Sequence, residues 1–300
     1  MLTIVIPSYN HERFIADCLD AARAIEVGGR RIIVIDDGST DATAGVVRSY
    51  MDRHPDEGIE LVCKKNSGLI SSLNLGLEMT ETDFVYFVAS DDIPQGRGIM
   101  QCLEQLQSDP SYQFCIGGGE NFFSDSEAAP TPVYGQRHRS FFEANTHQRR
   151  RDLFLNYPNP VLLQSTVFRT QALRTIGGWD RNLVLDDYPT FVKLLTRFPE
   201  HQRDFLFKPE FHVVRYRHHG TNSYKNLAKQ FNIVKQTLEL LAPDDLRQRA
   251  LGSAIGFYLL VAVRSRDIDG FRSIVRNSNR GSMLFVIPSI AKIVLRKVRN

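Results

Sequence analysis

A parallel α/β sheet covered by helices on both faces is what the first ninety residues of this 300-residue chain predict. Short β-branched or aromatic runs recur at Leu2 to Pro7, Arg31 to Asp36, Ile59 to Cys63 and Phe84 to Ala89, and segments with helical spacing separate them. The runs are almost continuously apolar, as strands buried on both faces must be. Right-handed crossovers between them then give a parallel order.

The elements follow in sequence. After Leu2 to Pro7, Phe14, Ile15, Cys18, Leu19 and Ala22 share one helical face. Gly28-Gly29 precede the strand Arg31 to Asp36, and Gly38 closes it. A helix from Asp41 to Met51, a strand from Ile59 to Cys63 and a helix from Ser67 to Met79 lead to Phe84 to Ala89. From Gly117 to Arg151 the chain is rich in Gly, Pro, Ser and polar residues without periodicity, which predicts loops at the sheet edge or around an acceptor site. Order returns at Gln164 to Arg169, then Gly-Gly-Trp-Asp at Gly177 to Asp180, then helical spacing through Phe191, Leu194 and Leu195. Beyond Tyr224 the stripe Leu227, Phe231, Val234, Leu238 and Leu241 predicts helices. The expected division is a sheet domain at 1–222 and a helical extension at 223–300 ending in a basic amphipathic tail.

Hydrophobic residues are 42% and charged residues 24% of the chain, values of a soluble globular protein that exclude disordered and membrane-bundle classes. The opening MLTIVIPSYN lacks the basic segment, apolar core and cleavage site of a secretory signal. Cys18, Cys63, Cys102 and Cys115 show no metal-ligand spacing and are expected to be core thiols in a reducing, cytoplasmic compartment. Charge is uneven. Residues 264–300 carry nine Lys and Arg against two Asp, so the net +3 divides into about +7 there and −4 elsewhere. That pattern argues against a nucleic-acid-binding body and for a tail that meets something anionic.

In open sheets of this kind ligands bind beyond the carboxyl ends of the strands. Three such ends carry polar clusters: Pro7-Ser8-Tyr9-Asn10, Asp36 to Asp41, and Ser90-Asp91-Asp92. The first lacks the glycine-rich turn of a dinucleotide site and the lysine loop of a P-loop. A nucleotide pocket without a glycine cradle remains. In it Tyr9 offers a ring face to a base, and Asp36 or Asp37 accepts hydrogen bonds from base or ribose. Without a backbone nest a diphosphate needs a divalent cation, and Asp91-Asp92 supplies carboxylates at the next strand end.

With these residues the chain resembles the family 2 glycosyltransferases of the GT-A fold. The resemblance spans roughly residues 2–222 and rests on seven marks in order: IPSYN, DDGSTD, KNSGLISSLNLGL, ASDD, GGWD, LDDY and YRHHGTNS. It implies a Rossmann-like, mostly parallel sheet flanked by helices. Pro7, Ser8, Tyr9 and Asp37, with Asp36 close by, match positions that hold the nucleoside. Asn66 and Gly68 match the segment that approaches it, and Ser90 and Asp91 the strand end beneath the diphosphate. Asp91, Asp92 and His219 match the neighbourhood of a bound Mn²⁺ or Mg²⁺. The commonest motif there is Asp-x-Asp-Asp, and this chain has Ala89 at its first position.

Asp187 matches the catalytic base. One acceptor-side carboxylate suits an inverting displacement, in which it takes the hydroxyl proton as the oxygen attacks the anomeric carbon. The resemblance thus implies a metal-dependent inverting enzyme of hexosyltransferase type, using a nucleotide-diphosphate sugar, UDP-linked by preference. The expected acceptor is a glycan or lipid-linked molecule at the inner face of the cytoplasmic membrane, in surface-polysaccharide synthesis. The alternative is a non-catalytic scaffold that binds a nucleotide sugar or glycan. Asp36-Asp37-Gly38 read alone is also a turn, and Asp186-Asp187 also a helix cap. Met283 to Leu295 is shorter than the ~18 to 20 apolar residues of a membrane span, and Pro288 interrupts it. With Lys292, Arg296, Lys297 and Arg299 it is expected to lie in an anionic membrane interface. Packing on the catalytic domain, or on a second subunit in a homo-oligomer, is the other reading.

Overall fold

The computed structural model describes residues 1–124, 128–219 and 227–299. They form two compact units, Met1–Thr146 with Pro158–Gly220 and His147–Tyr157 with Thr221–Asn300. The boundary expected at 222/223 lies outside the described residues.

The first unit begins β1 (Leu2–Ser8), α1 (Ile15–Arg23), β2 (Arg31–Asp36), α2 (Thr43–Arg53), β3 (Ile59–Cys63), α3 (Leu69–Met79) and β4 (Phe84–Phe87). It continues through β5 (Ile93–Pro94), α4 (Gly96–Ser108), β6 (Phe114–Phe123), β7 (Thr131–Pro132) and α5 (Gln136–Glu143). Helix α6 (Thr146–Leu155) lies almost wholly in the second unit. A 3-10 turn (Leu163–Ser165), β8 (Thr166–Arg169), α7 (Thr170–Thr175), α8 (Asp187–Arg197) and β9 (Phe205–His218) complete the first. One sheet results, ordered β3-β2-β1-β4-β8-β6-β9-β5 with β7 on β6. β3, β2, β1 and β4 are parallel. β8 runs antiparallel to β4 and β6.

Side-chain alternation along β1 explains why both faces are covered. Leu2, Ile4 and Ile6 pack with Ile15, Cys18, Leu19 and Ala22 of α1 and with Val47 and Tyr50 of α2. Val5, between them, faces Gly76 of α3, where a Cβ would meet Val5 Cγ1 at 2.3 Å. Burying each such aliphatic side chain stabilises the fold by about 1.5–3 kcal/mol. Cys18, Cys102 and Cys115 are buried as expected, whereas Cys63 is exposed because β3 is an edge strand.

The loops expected from 117 to 151 are largely ordered. Gly117, Gly118 and Gly119 lie inside β6, which pairs in parallel with β9 along its whole length. The glycines read as loop residues, but they admit a close neighbour: a Cβ at Gly118 would stand 2.0 Å from the Pro209 carbonyl oxygen. Helices α5 and α6 escaped the periodicity reading because their sequences, QRHRSFFE and THQRRRDLFL, are dominated by polar residues.

The second unit adds α9 (Leu227–Leu241), α10 (Asp244–Ser265), α11 (Ile268–Arg276), α12 (Arg280–Met283) and α13 (Val286–Arg299). Phe231, Ile255, Leu259, Ala262, Ile274 and Val286 form its core. Pro288 does not break the last helix. It sits in the first turn of α13, where its missing N–H costs nothing. Among the described residues no helix is long and apolar enough to cross a membrane.

Candidate active site

The carboxyl ends of β1 and β2 are level, with Ser8 opposite Asp36. Their loops lock together. Asn10 adopts a left-handed conformation (φ 55°) that asparagine tolerates. Its backbone N–H donates to Ser39 Oγ at 2.9 Å, and its Oδ1 accepts from the Thr40 N–H at 2.8 Å. The Glu12 N–H donates to Asp41 Oδ2 at 3.1 Å, and Glu12 Oε2 accepts from the Ala42 N–H at 2.7 Å. Tyr9 is left exposed beside this junction.

The two aspartates after β2 have different work. Asp37 accepts from the backbone N–H groups of Ser67 and Gly68, each at 2.8 Å, and pairs with Lys64. Between the partners sits Gly38 (φ +71°), where a Cβ would meet the Asn66 nitrogen at 2.8 Å. The Asp37 carboxylate, expected at the nucleoside, clamps the 64–68 segment, which carries the exposed Asn66. Asp36 is the partner-seeking residue. Its Oδ2 accepts from the Ser39 N–H at 3.1 Å, but Oδ1 is buried without a hydrogen-bond partner, as is Ser8 Oγ. Two such buried groups at adjacent strand ends are what a ligand's hydroxyl or N–H would satisfy.

Beyond β4 the chain turns at Ala89 to Asp92, with the Asp92 N–H donating to the Ala89 carbonyl at 3.0 Å. The turn sends neighbouring carboxylates in different directions. Asp91 Oδ2 lies 2.9 Å from His219 Nε2, just past the end of β9, and 3.8 Å from His11 Nε2. His11 Nδ1 lies 2.7 Å from the Ser90 hydroxyl. His11, Asp91 and His219 bring one ligand atom each within 4.8 Å of one another. Burial lowers the His11 pKa, and Asp91 opposes that shift.

Asp92, expected beside Asp91 at the metal, is turned the other way. Its Oδ1 accepts from the Arg217 backbone N–H at 2.8 Å and its Oδ2 from Gln164 Nε2 at 3.0 Å. Burial, and then the Asp91 charge, push its pKa well above the usual carboxylate range. Arg217 also donates from Nε to the Asp91 carbonyl at 2.7 Å and pairs with Asp17 at 3.0 Å.

Asp187 opens α8, and its Oδ1 accepts from the Leu163 backbone N–H at 2.6 Å. Burial and the neighbouring Asp186 carboxylate push it well above the ordinary value, against the pull of that N–H. The turn that supplies the N–H is itself pinned by Tyr134, whose hydroxyl lies 2.6 Å from Ser165 Oγ and accepts from the Leu162 N–H at 2.9 Å. Trp179 is buried edge-on against Phe87. Asn74 holds its backbone through two hydrogen bonds of 2.9 and 3.0 Å. Sequence reasoning missed His11, Gln164 and Arg217. Only His11 had a local signal, as a histidine following the first strand end.

A mixed, mostly parallel sheet with strand-end aspartates and a late histidine beneath them defines a protein of GT-A type. The chain belongs to Glycosyl transferase family 2, whose family model matches residues 3–173.

Among curated relatives it is 26% identical over 111 residues to the chondroitin synthase of Escherichia coli, covering 37% of this chain and 16% of that protein. It is 20% identical over 193 residues to the poly-beta-1,6-N-acetyl-D-glucosamine synthase of Staphylococcus epidermidis, covering 64% of this chain and 45% of that protein. The chain thus spans less than half the length of these relatives. Its fold is similar to that of S. aureus TarS 1-349 in complex with UDP-GlcNAc (TM-score 0.62, 16% identity, 91% of this chain and 90% of that chain). It is also similar to the mannosyltransferase PcManGT from Pyrobaculum calidifontis in complex with GDP-Man and Mn²⁺ (TM-score 0.58, 16% identity, 100% of this chain and 86% of that chain).

Proposed function

We propose that the chain is a metal-dependent, inverting glycosyltransferase of hexosyltransferase type. It moves a sugar from a nucleoside diphosphate, UDP by preference, to a hydroxyl of a glycan or lipid-linked acceptor in surface-polysaccharide synthesis. Family membership supports the reaction class, and the polysaccharide synthases among its relatives support the pathway class. The observation that carries the mechanism is one short turn: Leu163 binds Asp187 while Gln164 binds Asp92, the neighbour of Asp91. The acceptor-side base and the anchoring aspartate next to donor-side Asp91 are thereby held by consecutive residues.

Ser8, Tyr9 and Asp36 bind the nucleoside, and Asp37 acts by holding Asn66 and Gly68 in place. Asp91 and His219 would hold the ion, since a carboxylate and an imidazole sharing one point suit Mn²⁺, and Mg²⁺ less well. When bound, the ion offsets negative charge on the departing diphosphate. Asp187 takes the proton of the acceptor hydroxyl as its oxygen bonds to the anomeric carbon and the bond from that carbon to the diphosphate oxygen breaks. A single displacement of this kind inverts the anomeric centre. Ala89 supplies no ligand.

The second unit supports the peripheral membrane reading. On α11, Ile268, Phe271 and Val275 recur at helical spacing and are exposed, beside the exposed Arg272 and Arg276. Near and along α13, Leu284, Ile287, Val294 and Leu295 are exposed, while Val286 joins the core. Apolar surface edged with arginine and lysine complements an anionic lipid interface.

The test is release of UDP from UDP-GlcNAc, UDP-glucose and UDP-galactose with Mn²⁺, by the wild type and by Asp187→Asn. Wild-type release that the variant loses supports the reading. Nucleotide binding with no release from any donor sugar would favour the scaffold instead.

A further inference from the structure

Asp91 and His219 leave an ion with only two protein donors, and the position where a third carboxylate most often stands is a methyl group at Ala89. The structure brings a different side chain to Asp91. His11 follows the first strand end and is fixed at its backbone: its N–H donates to Thr43 Oγ1 at 2.8 Å, and its carbonyl accepts from the Phe14 and Ile15 N–H groups at 3.0 Å, opening α1. Its ring is fixed as well. Nδ1 is held by the Ser90 hydroxyl at 2.7 Å, which leaves Nε2 facing Asp91 Oδ2. A hydrogen bond on one ring nitrogen commonly aims the other at a metal.

The two imidazoles meet at 90° with centroids 6.1 Å apart, and the Phe14 ring packs against both. Arg217 covers Phe14 and holds the Asp91 backbone carbonyl. Neighbouring donors around an octahedral ion with bonds of about 2.1 Å stand about 3 Å apart. From Asp91 Oδ2, His219 Nε2 stands at that spacing, 2.9 Å, and His11 Nε2 lies somewhat beyond it, 3.8 Å away.

We infer that His11 is a third protein ligand of this centre, and that the resulting pair of imidazoles and one carboxylate makes it selective for Mn²⁺ over Mg²⁺. His11, Asp91 and His219 would supply three donors, and the ion's remaining ligands would come from diphosphate oxygens and water. Both ions favour oxygen donors, but Mn²⁺, a transition metal, accepts imidazole nitrogen more readily than Mg²⁺, which sheds water reluctantly. The inference rests on the reading of Asp91 and His219 as ligands.

The test is Mn²⁺ binding followed by electron paramagnetic resonance on the full chain, with Mn²⁺ alone and with Mn²⁺ plus UDP. Pulsed measurements on the wild type are expected to detect nitrogen couplings from two imidazoles. His11→Gln should keep one of them and weaken Mn²⁺ affinity roughly 10- to 100-fold. The same variant should narrow the preference for Mn²⁺ over Mg²⁺. Wild-type spectra with a single imidazole, or unchanged Mn²⁺ affinity in His11→Gln while Asp91→Asn loses it, would overturn the role of His11 and leave the Asp91–His219 site standing. Absence of Mn²⁺ binding by the wild type under both conditions would overturn both.

Discussion

Gln164 Nε2 donates to Asp92 Oδ2 at 3.0 Å, and the Leu163 N–H one residue earlier donates to Asp187 Oδ1 at 2.6 Å. The pairing divides the Asp91-Asp92 dipeptide into a carboxylate that faces the histidines and one that anchors the scaffold.

Asp91 and Asp92 should therefore fail differently. Asp92→Ala leaves the Arg217 N–H and the Gln164 amide without their acceptor, and is expected to cost about 3 kcal/mol in urea denaturation. Asp91→Asn should retain near wild-type stability and lose Mn²⁺-dependent binding of UDP. Equal stability losses would contradict the division of roles.

Asp187→Asn is expected to lower transfer about 100- to 10,000-fold while UDP still binds. It should not unfold the protein. The folded pKa of Asp187 is raised by burial and by Asp186, so any stability tied to its protonated form is present at low pH and lost as pH rises through that value. An uncharged Asn removes that cost, and the variant should be at least as stable as wild type at pH 7.5.

The same shift sets the pH profile. Asp186 and Asp92 face Asp187 as like charges, and the Leu163 N–H opposes them. Since a protonated carboxyl accepts no proton, turnover should fall as pH is lowered, along an acid limb above the ordinary Asp value of about 3.9. A rate that stays flat down to pH 4 would remove Asp187 from the role.

Much of this site was legible before the structure. The polar clusters after β1, β2 and β4 lie at carboxyl ends of parallel strands, and strand alternation with helical spacing predicted those ends. Two things were hidden. Asp91 and Asp92 are alike in sequence, and only the turn at Ala89 separates their directions. His11 and Asp91 are eighty positions apart and meet because β1 and β4 are neighbours in the sheet. The strand β6 was lost for another reason: three consecutive glycines signal a loop locally, and their use for close approach of β9 is a tertiary fact.

Asp37→Ala should release the 64–68 segment. Losing two backbone acceptor contacts and the Lys64 pair is expected to cost about 2–3 kcal/mol and to weaken UDP binding, measurable by denaturation and calorimetry. Asp37→Asn, which keeps one acceptor oxygen, should lose less of each.

The proposed membrane surface predicts flotation with vesicles rich in phosphatidylglycerol and none with phosphatidylcholine alone, weakening as salt rises. Leu284→Glu with Ile287→Glu should reduce flotation and change stability by less than about 0.5 kcal/mol, because both side chains are exposed. Concentration-dependent dimers that the double variant abolishes, without flotation, would assign the surface to a second copy of the chain.

The most direct test of the whole account is thermal unfolding with UDP and with GDP, each with and without Mn²⁺. A nucleotide at about 100 times its Kd adds about 2.7 kcal/mol, a rise of several degrees. That rise is expected for UDP when Mn²⁺ is present, and a much smaller one when it is absent. An unchanged midpoint with either nucleotide and Mn²⁺ would contradict a metal-assisted donor site at these strand ends.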